Sequence, residues 1–327
     1  MTTRVLVTGG AGYIGSVVAD QLLARGHAVV VLDDLSTGHR QAVPAGATFV
    51  QAGIGDRAAV AALFARHPVD AIVHMAAVAV VAESVANPEK YRTINVAAAQ
   101  VLLDAAVAAG VRRFVFSSSC TVYGHPSAVP IPEDAPVAPM SPYGETKLAF
   151  ERLLATYAAR HGLSSVSLRY FNAAGATERH GEDHDPESHL IPNVLAVALG
   201  KRPAVDVFGT DYATPDGTAV RDYIHVDDLA DAHVRALDIP PDGAIAVNLG
   251  TGRGSSVRQV VDAARRITGH AIPATARPRR PGDPPELVAA VQRADTVLGW
   301  RPRRSDLEEI LASAWRWHQA HPRGYRT

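Results

Sequence analysis

The 327-residue sequence predicts an α/β fold, a doubly wound parallel sheet followed by a smaller α+β region. Three observations predict it. Short β-branched runs alternate with Ala/Leu-rich stretches of helical length through residue 170 or so. Those runs are apolar without alternation, as strands covered on both faces are. Beyond them Pro, Gly and Asp cluster at 173–187, 209–222 and 273–285, and regular elements thin out.

The expected strands are RVLVT (4–8), AVVVLD (28–33), ATFVQA (47–52), DAIVHM (70–75), RRFVFSS (112–118) and SVSLRYF (165–171). Helical patterns such as SVVADQLLARG, DRAAVAALFARH, VAAAQVLLDAAVAAG and YGETKLAFERLLATYAARHG lie between them. Gly26, Gly110 and Gly162 each follow such a pattern, where a glycine closes a helix in the left-handed conformation. The second half predicts helices at about 188–200, 226–239, 255–268 and 305–320, with AIAVNLG (244–250) as a strand returning to the sheet. Ligands of such sheets bind beyond the carboxyl ends of the strands, so functional residues are expected there and in the irregular second half.

Bulk properties narrow the function. A formal net charge of −1 gives no general attraction to nucleic acid or anionic membrane. The longest apolar stretch, AIVHMAAVAVVA from Ala71, holds a histidine and is too short to cross a bilayer. The first strand starts at residue 4, which leaves no room for a signal peptide. One cysteine, Cys120, excludes an internal disulfide framework and fits a reducing compartment. A cytoplasmic location is the expectation.

VLVTGGAGYIGS sets Gly9, Gly12 and Gly15 between the first strand and first helix. Glycines there permit a tight turn and a close approach to a pyrophosphate, which the helix N-terminus attracts. Asp33 ends the second strand. Its carboxylate suits a ribose 2′-hydroxyl and repels a 2′-phosphate, which favours NAD over NADP.

The stretch SPYGETK carries one of only three lysines in the chain. Pro142 suits a first helical position, so Tyr143 and Lys147 fall one turn apart on one helix face. An ammonium so placed, next to a positively charged nicotinamide, favours phenolate, which would equip Tyr143 as a base. Ser119, at the tip of the preceding strand, is the expected third member.

TGGAGYIGS, SSSCTVYG, SPYGETK, LRYFNAAGA and VRDYIHVDDLADAH together resemble the extended short-chain dehydrogenase/reductase family, and within it the branch that epimerises UDP-hexoses at C4. The resemblance spans essentially the whole chain. It implies a Rossmann-type NAD-binding domain at 1–172, to which 223–250 returns, and a nucleotide-sugar-binding region at 173–327. It further implies a homodimer and NAD-dependent exchange of UDP-glucose and UDP-galactose through a 4-keto sugar. Tyr143 is then the base, Lys147 lowers its pKa and holds the nicotinamide ribose, and Ser119 assists proton handling. Tyr13, Ile14, Ile54, Ala76, Asn95 and Tyr170 join the glycines and Asp33 as cofactor-binding positions. Phe171, Asn172, His189, Leu190 and Phe208 match positions along the substrate. Arg221 and Arg280 match arginines on its diphosphate, and Asp283 one that holds a ribose. Leu287 occupies the position whose size sets which sugars fit.

Two departures from the family pattern affect the cofactor side. Gly53 stands where an Asp meets adenine, and Ala79 where a lysine lies near the phosphates. The related dehydratases and decarboxylases carry acids just after the serine or threonine, and here Cys120 and Thr121 follow. HGEDHDPESH (180–189) brings His180, His184 and His189 among acids, but Pro186 breaks the helix that an i, i+4 ligand pair needs. No metal is expected, and Cys120 is expected to be a packed thiol. RPRRPGD (277–283) lacks the aromatic residues of a nucleic-acid patch.

Overall fold

β-Branched residues pack well on a pleated surface, and the first-half runs form strands within a residue or so of the expected bounds. The computed structural model describes residues 3–240, 243–280 and 282–326. In chain order the strands are β1 (Arg4–Thr8), β2 (Ala28–Asp33), β3 (Thr48–Gln51), β4 (Ala71–His74), β5 (Arg113–Ser119), β6 (Ser164–Tyr170), β7 (Asn172–Ala174), β8 (Val205–Phe208), β9 (Val220–Arg221), β10 (Tyr223–His225), β11 (Ala244–Leu249), β12 (Ser255–Ser256), β13 (Ala274–Arg277) and β14 (Glu286–Leu287). The α-helices are α1 (Tyr13–Ala24), α2 (Arg57–Arg66), α3 (Val81–Ala86), α4 (Pro88–Arg92), α5 (Ala99–Ala108), α6 (Pro142–His161), α7 (Leu190–Ala198), α8 (Val226–Ala236), α9 (Val257–Thr268), α10 (Gln292–Leu298) and α11 (Leu307–Ala320).

Seven strands make one parallel sheet in the order β11-β6-β5-β4-β1-β2-β3. Successive residues point to opposite faces, so each strand feeds two cores. Val5, Val7, Val29, Val31, Val73 and Val115 face α1 and α8. Leu6, Val30, Leu32, Ile72, Phe114 and Phe116 face α2, α5 and α6. The direction of winding reverses between β1 and β4, which opens a crevice past Thr8 and His74.

The second half builds a third core from α7, α9 and α11 around Val194, Leu195, Val260 and Leu311. Three small sheets, β7 with β10, β8 with β13, and β9 with β12 and β14, carry the loops between them. The VRDYIHVDD motif fastens these loops with buried side chains. The Asp222 carboxylate accepts from the backbone amides of Thr251, Gly252 and Ala289. The Asp228 carboxylate accepts from the amides of Arg303 and Arg304 and from the Ser305 hydroxyl.

Between α4 and α5 the backbone runs as a π-helical segment, Thr93–Ala98. The wider turn points Asn95 inward rather than along the helix surface.

Candidate active site

The first turn past β1 is shaped by close backbone contact. A Cβ on Gly15 would stand 2.1 Å from the Gly9 carbonyl oxygen, so only glycine lets α1 begin there. No side chain caps α1, which leaves its first amides open to an anion. The Asp33 carboxylate accepts from the Ala11 and Leu35 amides, both at 2.9 Å. One lone pair on each oxygen stays available for a diol. Burial pushes this carboxyl up, and the two amides oppose the shift. Leu35 takes a left-handed backbone, φ 61°, which turns the chain away after Asp33. The turn after β4 packs on the same loop, since a Cβ on Gly9 would meet the Ala76 amide nitrogen at 2.7 Å. Gly9, Gly15, Asp33 and Ala76 are therefore brought to one crevice, and an uncapped helix, a glycine cradle and a diol-binding acid fit a dinucleotide.

The other cofactor positions play mixed parts. Ile54 is a buried core residue, and Ile14 is half-buried against the other core. The Tyr13 hydroxyl donates to the Gly175 carbonyl at 2.5 Å, tying the glycine loop to the second half of the chain. Asn95 accepts from the Val78 amide at 2.9 Å and donates to Thr146 Oγ1 at 3.1 Å, holding the turn after β4 against α6. Beside Gly53, Asp34 is the acid at hand: its Oδ2 lies 3.9 Å from where a Gly53 Cβ would stand.

The catalytic candidates converge at the tips of β5 and β6. The Ser141 side chain caps α6 and Pro142 fills its first position, which starts the helix one residue before Tyr143. Gly144 lets that end approach the β5 tip, because a Cβ there would lie 2.8 Å from the Thr121 carbonyl oxygen. Lys147 is buried, donates to the Ser117 carbonyl at 2.8 Å, and holds its ammonium 5.6 Å from the centre of the Tyr143 ring. Ser119 is close enough to the Tyr143 phenol to lower its pKa, and Tyr170 to raise it. Thr121, which sequence reasoning passed over as a site residue, donates from Oγ1 to Ser119 Oγ at 3.0 Å and sets the serine's orientation. Its signal was a second hydroxyl two residues beyond the strand-tip serine.

In the protein alone, burial pushes the Tyr143 phenol well above its usual value. Burial also pulls the lysine down to about 7, against the opposing charge of Glu151. The physical reason is that both groups lie in the same dry pocket, which disfavours either charge. A lysine whose folded pKa lies below its unfolded value opposes folding wherever the unfolded chain is protonated. Stability should therefore rise with pH from about 7 towards 10.5 through this group. Lys147→Met is accordingly expected to raise the stability of the ligand-free protein by roughly 1–3 kcal/mol while removing activity. Thermal unfolding followed beside turnover checks both; a destabilised variant would contradict the assignment of Lys147 as a buried, costly charge.

On the other side of Ser119, Phe171, Leu287 and Cys120 share a small apolar cluster. Burial pushes the Cys120 thiol up to about 12, so it is a packing group and no nucleophile at neutral pH. Asn172 starts β7 with its amide on the Asp222 carbonyl at 3.3 Å. Further out, Arg221 pairs with Asp283, and the Arg280 guanidinium lies 4.2 Å over the Phe208 ring. A cavity of about 470 Å³ opens beside them, lined by His125, Tyr212, Arg279, Arg280 and Asp283 among others. Of the expected substrate residues, Arg280 and Asp283 line this cavity, and Arg221 and Phe208 are in contact with them. Leu190 begins α7 and packs on the third core, while His189 pairs with Glu182 in the loop before it.

Comparison with known proteins agrees with this geometry. The family described as "NAD dependent epimerase/dehydratase family" matches residues 5–250. A UDP-glucose 4-epimerase of Streptomyces lividans is 52% identical over 327 residues, 99% of either chain. A crystal structure of UDP-glucose 4-epimerase from Brucella ovis in complex with NAD superposes at a TM-score of 0.93, with 47% identity, over 96% of this chain and 98% of that one. The enzyme from Bifidobacterium longum in complex with NAD+ and UDP superposes at 0.94, with 38% identity, over 99% of this chain and all of the other.

Proposed function

Because the chain belongs to the NAD dependent epimerase/dehydratase family, we propose that it is a UDP-hexose 4-epimerase, exchanging UDP-glucose and UDP-galactose through a 4-keto sugar with NAD as cofactor. The reading rests above all on the meeting of Ser119, Tyr143 and Lys147 beside the open glycine crevice. Bound NAD supplies the acceptor and then the donor of the C4 hydride. Tyr143 takes the proton of the 4-hydroxyl and later returns it. Ser119, oriented by Thr121, holds the same oxygen. Lys147 supports the phenolate and the nicotinamide ribose, and Asp33 the adenosine ribose. Arg221 and Arg280 neutralise the sugar nucleotide's diphosphate, for which Arg280 leaves the Phe208 face to a uracil ring.

The experiment is incubation of the purified protein with UDP-galactose and no added NAD. UDP-glucose of unchanged mass is expected. Loss of water would indicate elimination instead, and no product with dinucleotide added would overturn the reading.

Leu287 sets the room beside the sugar. Leu287→Ala is expected to raise kcat/KM for UDP-N-acetylglucosamine relative to UDP-glucose by about tenfold, the scale of removing a few methylenes from a pocket wall. A panel of both substrates checks it, and an unchanged ratio would take Leu287 out of the sugar pocket. Among the described residues no helix is long and apolar enough to cross a membrane. The reading includes a cytoplasmic homodimer joined through helices of the sheet domain, which sedimentation at several concentrations tests.

A further inference from the structure

The loop before α7 gathers the sequence E-x-H-x-x-E-x-H into one ring of donors. Glu182, His184, Glu187 and His189 each offer a ligand atom, all within 4.8 Å of one another. Pro186 was expected to keep such ligands apart by breaking a helix; the segment instead converges as a loop. Both histidines turn Nδ1 inward. His184 Nδ1 lies 3.3 Å from Glu182 Oε1 and 3.8 Å from Glu187 Oε2. His189 Nδ1 lies 3.8 Å from Glu187 Oε1 and also contacts Glu182.

We infer that these four side chains form a binding site for a divalent cation of borderline softness, with Zn²⁺ as its best representative. Two imidazole nitrogens and two carboxylate oxygens are a donor set that Zn²⁺ takes tetrahedrally, while Mg²⁺ and Ca²⁺ prefer oxygen alone. With bonds of about 2.1 Å, tetrahedral ligands stand roughly 3.4 Å apart. Three of the six separations among the four side chains, 3.3, 3.8 and 3.8 Å, are close to that, the two to Glu187 running to its different oxygens. The His189–Glu182 pair has to open, and the His189 side chain is 55% exposed. Charge points the same way. Glu182 is only 5% exposed, and neither it nor Glu187 meets a lysine or arginine among the described ion pairs. The ion-pair partners of the two carboxylates are His184 and His189, so a divalent ion would take the place of the protons on those imidazoles. His180, sequence neighbour to the group, stands outside it near Asp20.

The His184 ring meets Tyr13 edge-on at 6.4 Å. A bound ion therefore clamps the loop against the glycine turn and the start of α7, and its effect is read as stability and occupancy, independent of the epimerase reading.

Whole protein stripped with a chelator is titrated with Zn²⁺ by calorimetry. Uptake of one ion per chain at micromolar concentration or below is expected, with Tm rising about 4 °C at a hundredfold excess over Kd. Co²⁺ in its place should give the intense visible absorption of a tetrahedral centre, a readout that needs no variant. His184→Ala and Glu187→Gln should each weaken uptake about 100-fold. His270→Ala, on an exposed histidine beside Trp315, should leave it unchanged. No stoichiometric uptake, a Co²⁺ spectrum without tetrahedral bands, equal uptake of Mg²⁺, or equal loss in His270→Ala would each overturn the site.

Discussion

Tyr143→Phe is expected to lower kcat for UDP-galactose by about 10³-fold or more while leaving NAD content and Tm nearly unchanged. The variant keeps the buried ring, which packs edge-on to Tyr91 at 6.4 Å, and deletes only the hydroxyl. What disappears is the atom that carries the proton. Tyr143 and Lys147 are both buried, so in the protein alone burial disfavours the charged form of each. Phenylalanine removes the phenol altogether, and Lys147 alone is 5.6 Å from the ring centre and engaged with the Ser117 carbonyl. The pH profile of the wild-type enzyme carries a sign. Activity that needs the lysine charged declines as pH rises through its folded value, which starts from about 7 in the protein alone. A phenylalanine variant keeping a tenth of wild-type turnover would take Tyr143 off the proton path.

The parts of the site legible in the sequence are those whose cause is local. The glycine turn, Asp33 at the end of β2, and Tyr143 one turn before Lys147 all follow from neighbours within a few residues. The same holds for Ser119, the last residue of β5. Legibility fails where the partner is distant. Asp222 finds Thr251 29 positions away, and the ring of His225 meets Ser313 88 positions away. No periodicity announces such pairs, so a motif that reads as binding machinery serves in part to fasten loops. Two-residue strands such as β9, β12 and β14 leave no period to detect. Burial of Tyr143 and Lys147 is likewise a property of the assembled fold that no local pattern announces.

Glu151 is the most informative of the unread residues, because it continues the catalytic face one turn beyond Lys147. Its carboxylate accepts from the Ser118 hydroxyl at 2.5 Å and takes two hydrogen bonds from Arg169, at 3.0 and 2.6 Å. Both side chains are less than a tenth exposed. Burial alone would lower the Arg169 guanidinium, but Glu151 holds it above its usual value. Arg169→Met should strand a buried carboxylate and cost about 3–5 kcal/mol, or a Tm fall of roughly 4–7 °C. Adding Glu151→Met removes the stranded charge, so the double variant should regain most of that loss. Recovery stays incomplete because Arg169 also donates to the Tyr123 hydroxyl at 3.0 Å and the Glu133 carbonyl at 3.2 Å. The two variants should also part in their pH profiles. Glu151 raises the Lys147 value, so an unpaired Glu151 moves the alkaline limb of kcat upward. Removing Glu151 as well moves that limb below the wild-type position. Unfolding and pH-rate curves on both proteins check the pair together. A double variant no more stable than Arg169→Met, or limbs shifted in the same direction, would show that Glu151 neither strains the fold when stranded nor acts on Lys147.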